Sequence, residues 1–116
     1  VKTFVLCWEL GAGLGHVGRL VPIAKALEAR GHRCVLMVRD LVQSGGLLRE
    51  LGLPALQAPV WLHHVAGLPD PRVSLPEILL GQGYLLAATL SGLVGGWTSA
   101  LETIGADAVI GDYAPT

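Results

Sequence analysis

The chain has 116 residues and a mass of 12.1 kDa, which is room for one domain. Eight Lys and Arg against nine Asp and Glu leave a formal charge of −1, which excludes a basic nucleic-acid stripe and an acidic tail. Apolar residues make up 52% and charged residues 15%, where about 25% charged is usual; this argues against disorder and leads us to expect that part of the surface meets another domain.

Residues 3–8 (TFVLCW) form an almost wholly apolar run of strand formers, the pattern of a parallel strand buried on both faces. A glycine-rich loop follows, Gly11-Ala12-Gly13-Leu14-Gly15-His16. Val17, Leu20, Val21, Ala24 and Leu27 then recur at helical spacing, and Arg30-Gly31 supplies the stop. Residues 33–38 (RCVLMV) read as a second buried strand, halted by Arg39-Asp40. A short helix is expected near residues 44–51 and a weak third strand over 54–58. Residues 59–73 hold three prolines and no periodicity; they read as a loop, and loops of this length are often functional. Ser74-Leu75-Pro76-Glu77 is a capping box that opens a helix, which Gly81 and Gly83 can break or kink. Leu86, Leu90, Leu93, Trp97, Leu101 and Ile104 alternate by three and four, an amphipathic stripe closed by Gly105. Residues 108–110 make the fourth strand.

Alternation of this kind predicts an α/β, Rossmann-like parallel sheet with helices on both faces, in the order 3-2-1-4. Residues 78–101 lack charge over a span long enough for a bilayer. They also carry many Gly, Ser and Thr residues, with the large side chains on one stripe, so a buried helix is expected and no transmembrane span. Cys7 and Cys34 lie inside strand patterns with no metal or redox spacing, which fits reduced thiols in a cytoplasmic protein. His63-His64 has no further ligands nearby in sequence, so no metal site is expected. Val1 stands where a Met would, and the chain closes soon after a core strand; the expectation is a single domain over 1–116 that forms the truncated front part of a larger, two-domain protein.

In a doubly wound sheet, ligands bind at the carboxyl ends of the strands flanking the switch point, here strands one and four. Gly13-Leu14-Gly15-His16-Val17-Gly18 matches G-x-G-x-x-G, and Asp40 ends strand two, which together allow a dinucleotide (NAD or FAD) domain. Against it, residues 9–12 separate the strand from the fingerprint, and His16 sits inside the glycine cluster. A neutral imidazole there can take a proton from a bound hydroxyl, given an acid to fix its tautomer. Asp112 ends strand four, so the topology brings it to His16. A helix-cap histidine and a turn aspartate are the alternatives. Trp8 fits core or pocket wall, Trp97 fits core, and His32 faces away from the crevice.

The run Gly13–Leu20 (GLGHVGRL), with Ala24-Lys25-Ala26-Leu27 and Arg30-Gly31-His32, resembles the start of GT-B glycosyltransferases, in particular family 28 and UDP-glycosyltransferase-like N-terminal domains. Asp107-Ala108-Val109-Ile110-Gly111-Asp112 resembles the strand that ends in an aspartate in the same domain. The resemblance implies the acceptor-binding half of an inverting sugar transferase. A missing C-terminal domain would hold the nucleotide-sugar donor, which is a substrate, with no separate cofactor. His16 would be the general base and Asp112 its partner. Gly11, Gly13, Gly15 and Arg19 would approach the donor diphosphate. Trp61, His64 and Tyr84 would line a pocket for a small-molecule or lipid acceptor. A non-catalytic GT-B-like binding module remains the other reading beside the dinucleotide domain.

Overall fold

The computed structural model describes residues 1–116. Four short runs of strand formers make β1 (Thr3–Cys7), β2 (Arg33–Val38), β3 (Ala55–Gln57) and β4 (Ala108–Gly111). All pair in parallel in the order β3-β2-β1-β4, as the alternation of elements predicts. β1 runs beside β2 from Thr3↔Arg33 to Cys7↔Met37 and beside β4 from Phe4↔Ala108 to Cys7↔Gly111. Both connections leaving β1's neighbourhood therefore diverge at its carboxyl end.

The strands read as continuous apolar runs because helices cover both faces. On one face Leu6, Trp8, Cys34, Leu36 and Val38 pack with Val17, Leu20 and Ala24 of α1 (Gly15–Ala29) and Leu48 of α2 (Leu41–Glu50). On the other, Val5, Cys7 and Met37 meet Ala58 and Trp97 of α4 (Ala87–Ile104). Leu6 and Leu36 are wholly buried, each contributing about 1.5–3 kcal/mol of apolar transfer.

β1 ends one residue before, and β4 one residue beyond, the expected end; three other boundaries differ, each for a local reason. α1 starts at Gly15, so His16 stands in its first turn and not in the loop. α2 starts at Leu41 because Asp40 caps it, Oδ1 accepting from the Gln43 amide at 3.0 Å. The third strand is only Ala55–Gln57; Pro54 lies outside it, although its carbonyl still accepts from the Leu36 amide at 2.9 Å.

The capping box forms as expected at the start of α3 (Leu75–Leu79): Ser74 Oγ accepts from the Glu77 amide, and Glu77 Oε2 accepts from the Ser74 amide. A kink follows over Leu80–Tyr84, where Gln82 and Gly83 leave helical φ/ψ. Of the two candidate glycines, Gly83 makes the break, with φ +102°; a Cβ there would lie 3.0 Å from both Leu93 Cδ1 and Trp61 Cβ. Residues 75–84 and α4 are bent by 78° to one another, and no single helix is long and apolar enough to cross a membrane.

Burial, and then the charge of Glu9, push the Cys7 thiol from 9.0 up to about 12. Burial also raises Cys34, with Glu28 adding to it. The folded chain keeps these protons where the unfolded chain releases them. The stability that Cys7 contributes is therefore whole below pH 9 and is lost as pH climbs toward 12, and the Cys34 effect has the same sign. Urea midpoints from about pH 8 to about pH 11 should fall less steeply for Cys7→Ala than for the parent; equal slopes would count against a sealed thiol.

Candidate functional site

The site grows from the way the two chain segments leaving β1 and β4 stay joined beyond the ladder. The Asp112 amide donates to the Cys7 carbonyl at 2.9 Å. The Glu9 and Leu10 amides both donate to the Tyr113 carbonyl, at 3.3 and 3.0 Å. Tyr113 takes the left-handed conformation, φ 55°, which turns the chain sharply after Asp112. The glycine loop is held from below: Trp8 Nε1 donates to the carbonyls of Leu10 (2.9 Å) and Gly11 (3.1 Å).

His16 and Asp112 meet here, 96 positions apart in sequence: Nδ1 lies 3.3 Å from Oδ2. With an ionised carboxylate as acceptor, Nδ1 carries the hydrogen and Nε2 keeps its lone pair. The imidazole stacks on Trp8, ring centres 5.7 Å apart and 18° off parallel, and tilts against Tyr113 at 6.0 Å. Nε2 lies over Gly11, where a Cβ would come within 2.6 Å of it. The side chain remains 18% exposed, so one edge of the ring reaches solvent.

Of the plainer alternatives, the cap reading fails for His16, whereas Asp112 does stand in the turn directly after β4. α1 has no side-chain cap, so His16 is not a cap histidine. The Asp112 carboxylate bonds to His16 and Arg19 and to no backbone amide of its turn. Arg19 Nη1 is 3.5 Å from Asp112 Oδ2, but its side chain is 73% exposed, and an ion pair of that kind contributes little. The first amides of α1 lack a capping group and an acidic neighbour, and Gly13 and Gly15 beside them are exposed; a helix end of this sort favours an anion. Asp40, the candidate ribose acid of the dinucleotide reading, caps α2. A cleft of about 170 Å³ lies between it, Trp8, Gly11, Gly13 and Arg39.

The acceptor-pocket candidates lie apart from one another in role. Trp61 packs on Gly83 and carries His63 edge-on at 5.6 Å. His64 is exposed and joins no hydrogen bond or ring contact. Tyr84 points its hydroxyl at Thr116 Oγ1, 2.7 Å away; burial raises its pKa most, the Thr116 bond lowers it by less, and the charge of Glu9 adds the smallest rise. His32 lies at the other end of the strands, accepting from the Lys2 amide and packing on Phe4. Trp97 is buried in the second core, its indole N–H without a partner. No group of three or more His, Cys, Asp or Glu side chains is arranged to hold a metal.

Sequence reasoning missed Glu9. It is 3% exposed. Its carboxylate accepts from the Thr116 amide at 2.8 Å and from the Thr116 hydroxyl. Arg39 Nη1 donates to the Glu9 carbonyl at 2.9 Å, and Nη2 to Gln82 Oε1 at 3.3 Å. The one available signal was an acid set directly after a core strand and before another apolar residue.

No protein-family model matches the chain, and no curated protein sequence does so either. Among solved structures, the fold is similar to the crystal structure of Acinetobacter baumannii MurG, a GT-B glycosyltransferase, with a TM-score of 0.61 and 20% identity. The likeness covers 96% of this chain, which spans 28% of that one. It gives the chain a glycosyltransferase-like, Rossmann-like fold; at this identity the likeness speaks to the fold alone.

Gly11 and Gly13 separate two effects, since both have positive φ but only Gly11 is crowded, by His16 Nε2 and Tyr113. Gly13→Ala should lower stability by about 1 kcal/mol through backbone strain. Gly11→Ala should lower it further and displace His16, which denaturant unfolding and the His16 NMR signals would report. Equal losses would contradict the crowding.

Proposed function

We propose that this chain is the acceptor-binding part of an inverting glycosyltransferase, which moves a sugar from a nucleotide-sugar donor to an acceptor hydroxyl. The observation that carries this reading is the His16–Asp112 contact at the switch point of a GT-B-like fold. His16 Nε2 takes the acceptor hydroxyl's proton. The acceptor oxygen bonds to the anomeric carbon from the side opposite the leaving group, and the carbon–oxygen bond to the diphosphate breaks. The nucleoside diphosphate departs with the bonding pair, and the anomeric configuration inverts. Asp112 holds the Nδ1–H tautomer and stabilises the imidazolium that forms.

The glycine loop, Gly11, Gly13 and Gly15, with the open start of α1, suits the donor diphosphate, and Arg19 adds a positive charge at its rim. Trp61, His64 and Tyr84 are the proposed acceptor side. The nucleotide would sit on a second domain across the cleft. The many exposed apolar side chains support such a partner surface, among them Leu85, Leu86 and Val109, all more than half exposed. The setting would be cytoplasmic, the acceptor a small molecule or a lipid, and the nucleotide sugar the one small molecule required besides it. The 116 residues by themselves would turn over no donor.

In the intact protein, His16→Ala should reduce nucleoside diphosphate release from a nucleotide-sugar and acceptor panel by about 10²- to 10⁴-fold. Asp112→Asn should reduce it by at least about tenfold, through loss of the tautomer. Parental turnover in His16→Ala would remove His16 from the mechanism. Titration with NADH discriminates the second reading, whose support is the cleft beside Asp40: micromolar NADH binding abolished by Asp40→Ala would favour a dinucleotide domain over a transferase.

A further inference from the structure

Glu9 has no part in the chemistry just described, yet it is a nearly inaccessible carboxylate with both oxygens engaged. Oε1 accepts from the Thr116 amide at 2.8 Å, and Oε2 accepts from the Thr116 hydroxyl. Since the Thr116 hydrogen points to Glu9, Tyr84 must be the donor in its 2.7 Å bond to Thr116 Oγ1. The chain runs Tyr84 to Thr116 to Glu9, each hydroxyl with one fixed direction. An ionised Glu9 is the arrangement that accepts from both Thr116 donors.

The consequence lies four residues upstream of Thr116. Asp112 leaves β4, Tyr113 reverses the chain in the left-handed region, and Thr116 is pinned back onto the segment just after β1. The same segment holds the Tyr113 carbonyl through the Glu9 and Leu10 amides. The turn that carries the Asp112 carboxylate is thus closed at both of its ends by Glu9, once through its backbone and once through its side chain. Arg39 fixes Glu9 in turn by bonding its carbonyl, and Gln82 holds the guanidinium from the kink at residues 80–84. An Asp112 bond of 3.3 Å to His16 has little margin; a loosened turn would lose it.

The structure assigns Glu9 as a positioning residue that, through Thr116, holds the 112–116 turn so that Asp112 stays on His16 Nδ1. This inference rests on the proposed role of the His16–Asp112 pair, but its spectroscopic test does not. In the intact protein with ¹⁵N-labelled imidazoles, the parent should show His16 mainly as the Nδ1–H tautomer. Glu9→Gln and Thr116→Val, both close in shape to the residues they replace, should each redistribute His16 toward the Nε2–H tautomer. Each should also lower kcat about tenfold, with KM changed less than about twofold, and Thr116→Ser should restore both readouts.

Parental tautomer ratios in both Glu9→Gln and Thr116→Val would overturn the assignment, whatever happened to turnover. A shifted tautomer with unchanged kcat would uphold the assignment and count instead against His16 as the base. If Glu9→Gln does not fold, the Thr116→Val and Thr116→Ser pair decides the matter alone.

Discussion

The pairing of β1 with β4 is the constraint on which the site depends. Those strands are distant in sequence, and between them lie β2, β3, the helices and the loops that join them, the glycine loop included. Once Cys7 stands opposite Gly111, the next residues have little choice. The Asp112 amide reaches the Cys7 carbonyl, and the Glu9 and Leu10 amides reach Tyr113. Asp112 is then one side chain away from the first turn of α1, which begins where the glycine loop delivers it. A one-residue slip of the register would carry Val5 and Cys7 into the layer packed against α1 and Leu6 into the layer packed against α4, mismatching both cores. The apolar burial of both faces therefore protects the geometry of a polar pair that itself contributes little to stability.

Around that constraint, the polar groups sort by burial. Glu9 is sealed and fully bonded, and it holds backbone. His16 and Asp112 are partly open, 18% and 23% exposed, with Nε2 uncommitted to any partner. Catalytic groups need that combination of fixed orientation and access. Trp8 serves both sides, being 1% exposed in the first core while stacking on His16 and pinning the loop carbonyls through its indole N–H. The two alternatives left open for it, core or pocket wall, are both realised.

Much of this was legible from the residues. The strands showed as apolar runs because helices cover both faces of the sheet, and the alternation of elements then dictated the strand order. That order alone brought His16 and Asp112 together. Three features escaped for physical reasons. Gly81 and Gly83 look equivalent in sequence, and both are crowded, Gly81 by Arg72 and Gly83 by Trp61 and Leu93; only Gly83 takes a positive φ and makes the break. Asp40 read as a strand stop or a ribose acid, while its bond to the Gln43 amide makes it a cap that starts α2 earlier. Glu9 read as an interruption of the glycine fingerprint, because its partner Thr116 is 107 positions away and belongs to no motif. Local pattern carries no information about such a partner. The low charge fraction does find a physical counterpart: large side chains such as Val42, Leu62 and Val73 remain more than 80% exposed, so the missing charge reflects open apolar surface and not a larger core.

The central claim is that His16 and Asp112 act as one unit at the crevice between β1 and β4. A double-mutant cycle on turnover of the intact protein tests it most directly, using His16→Ala, Asp112→Ala and the pair together. The account predicts strong non-additivity, with the double variant within about threefold of His16→Ala, because Asp112 works only through the imidazole. Losses that multiply, the double variant slower than His16→Ala by the full Asp112→Ala factor, would contradict it.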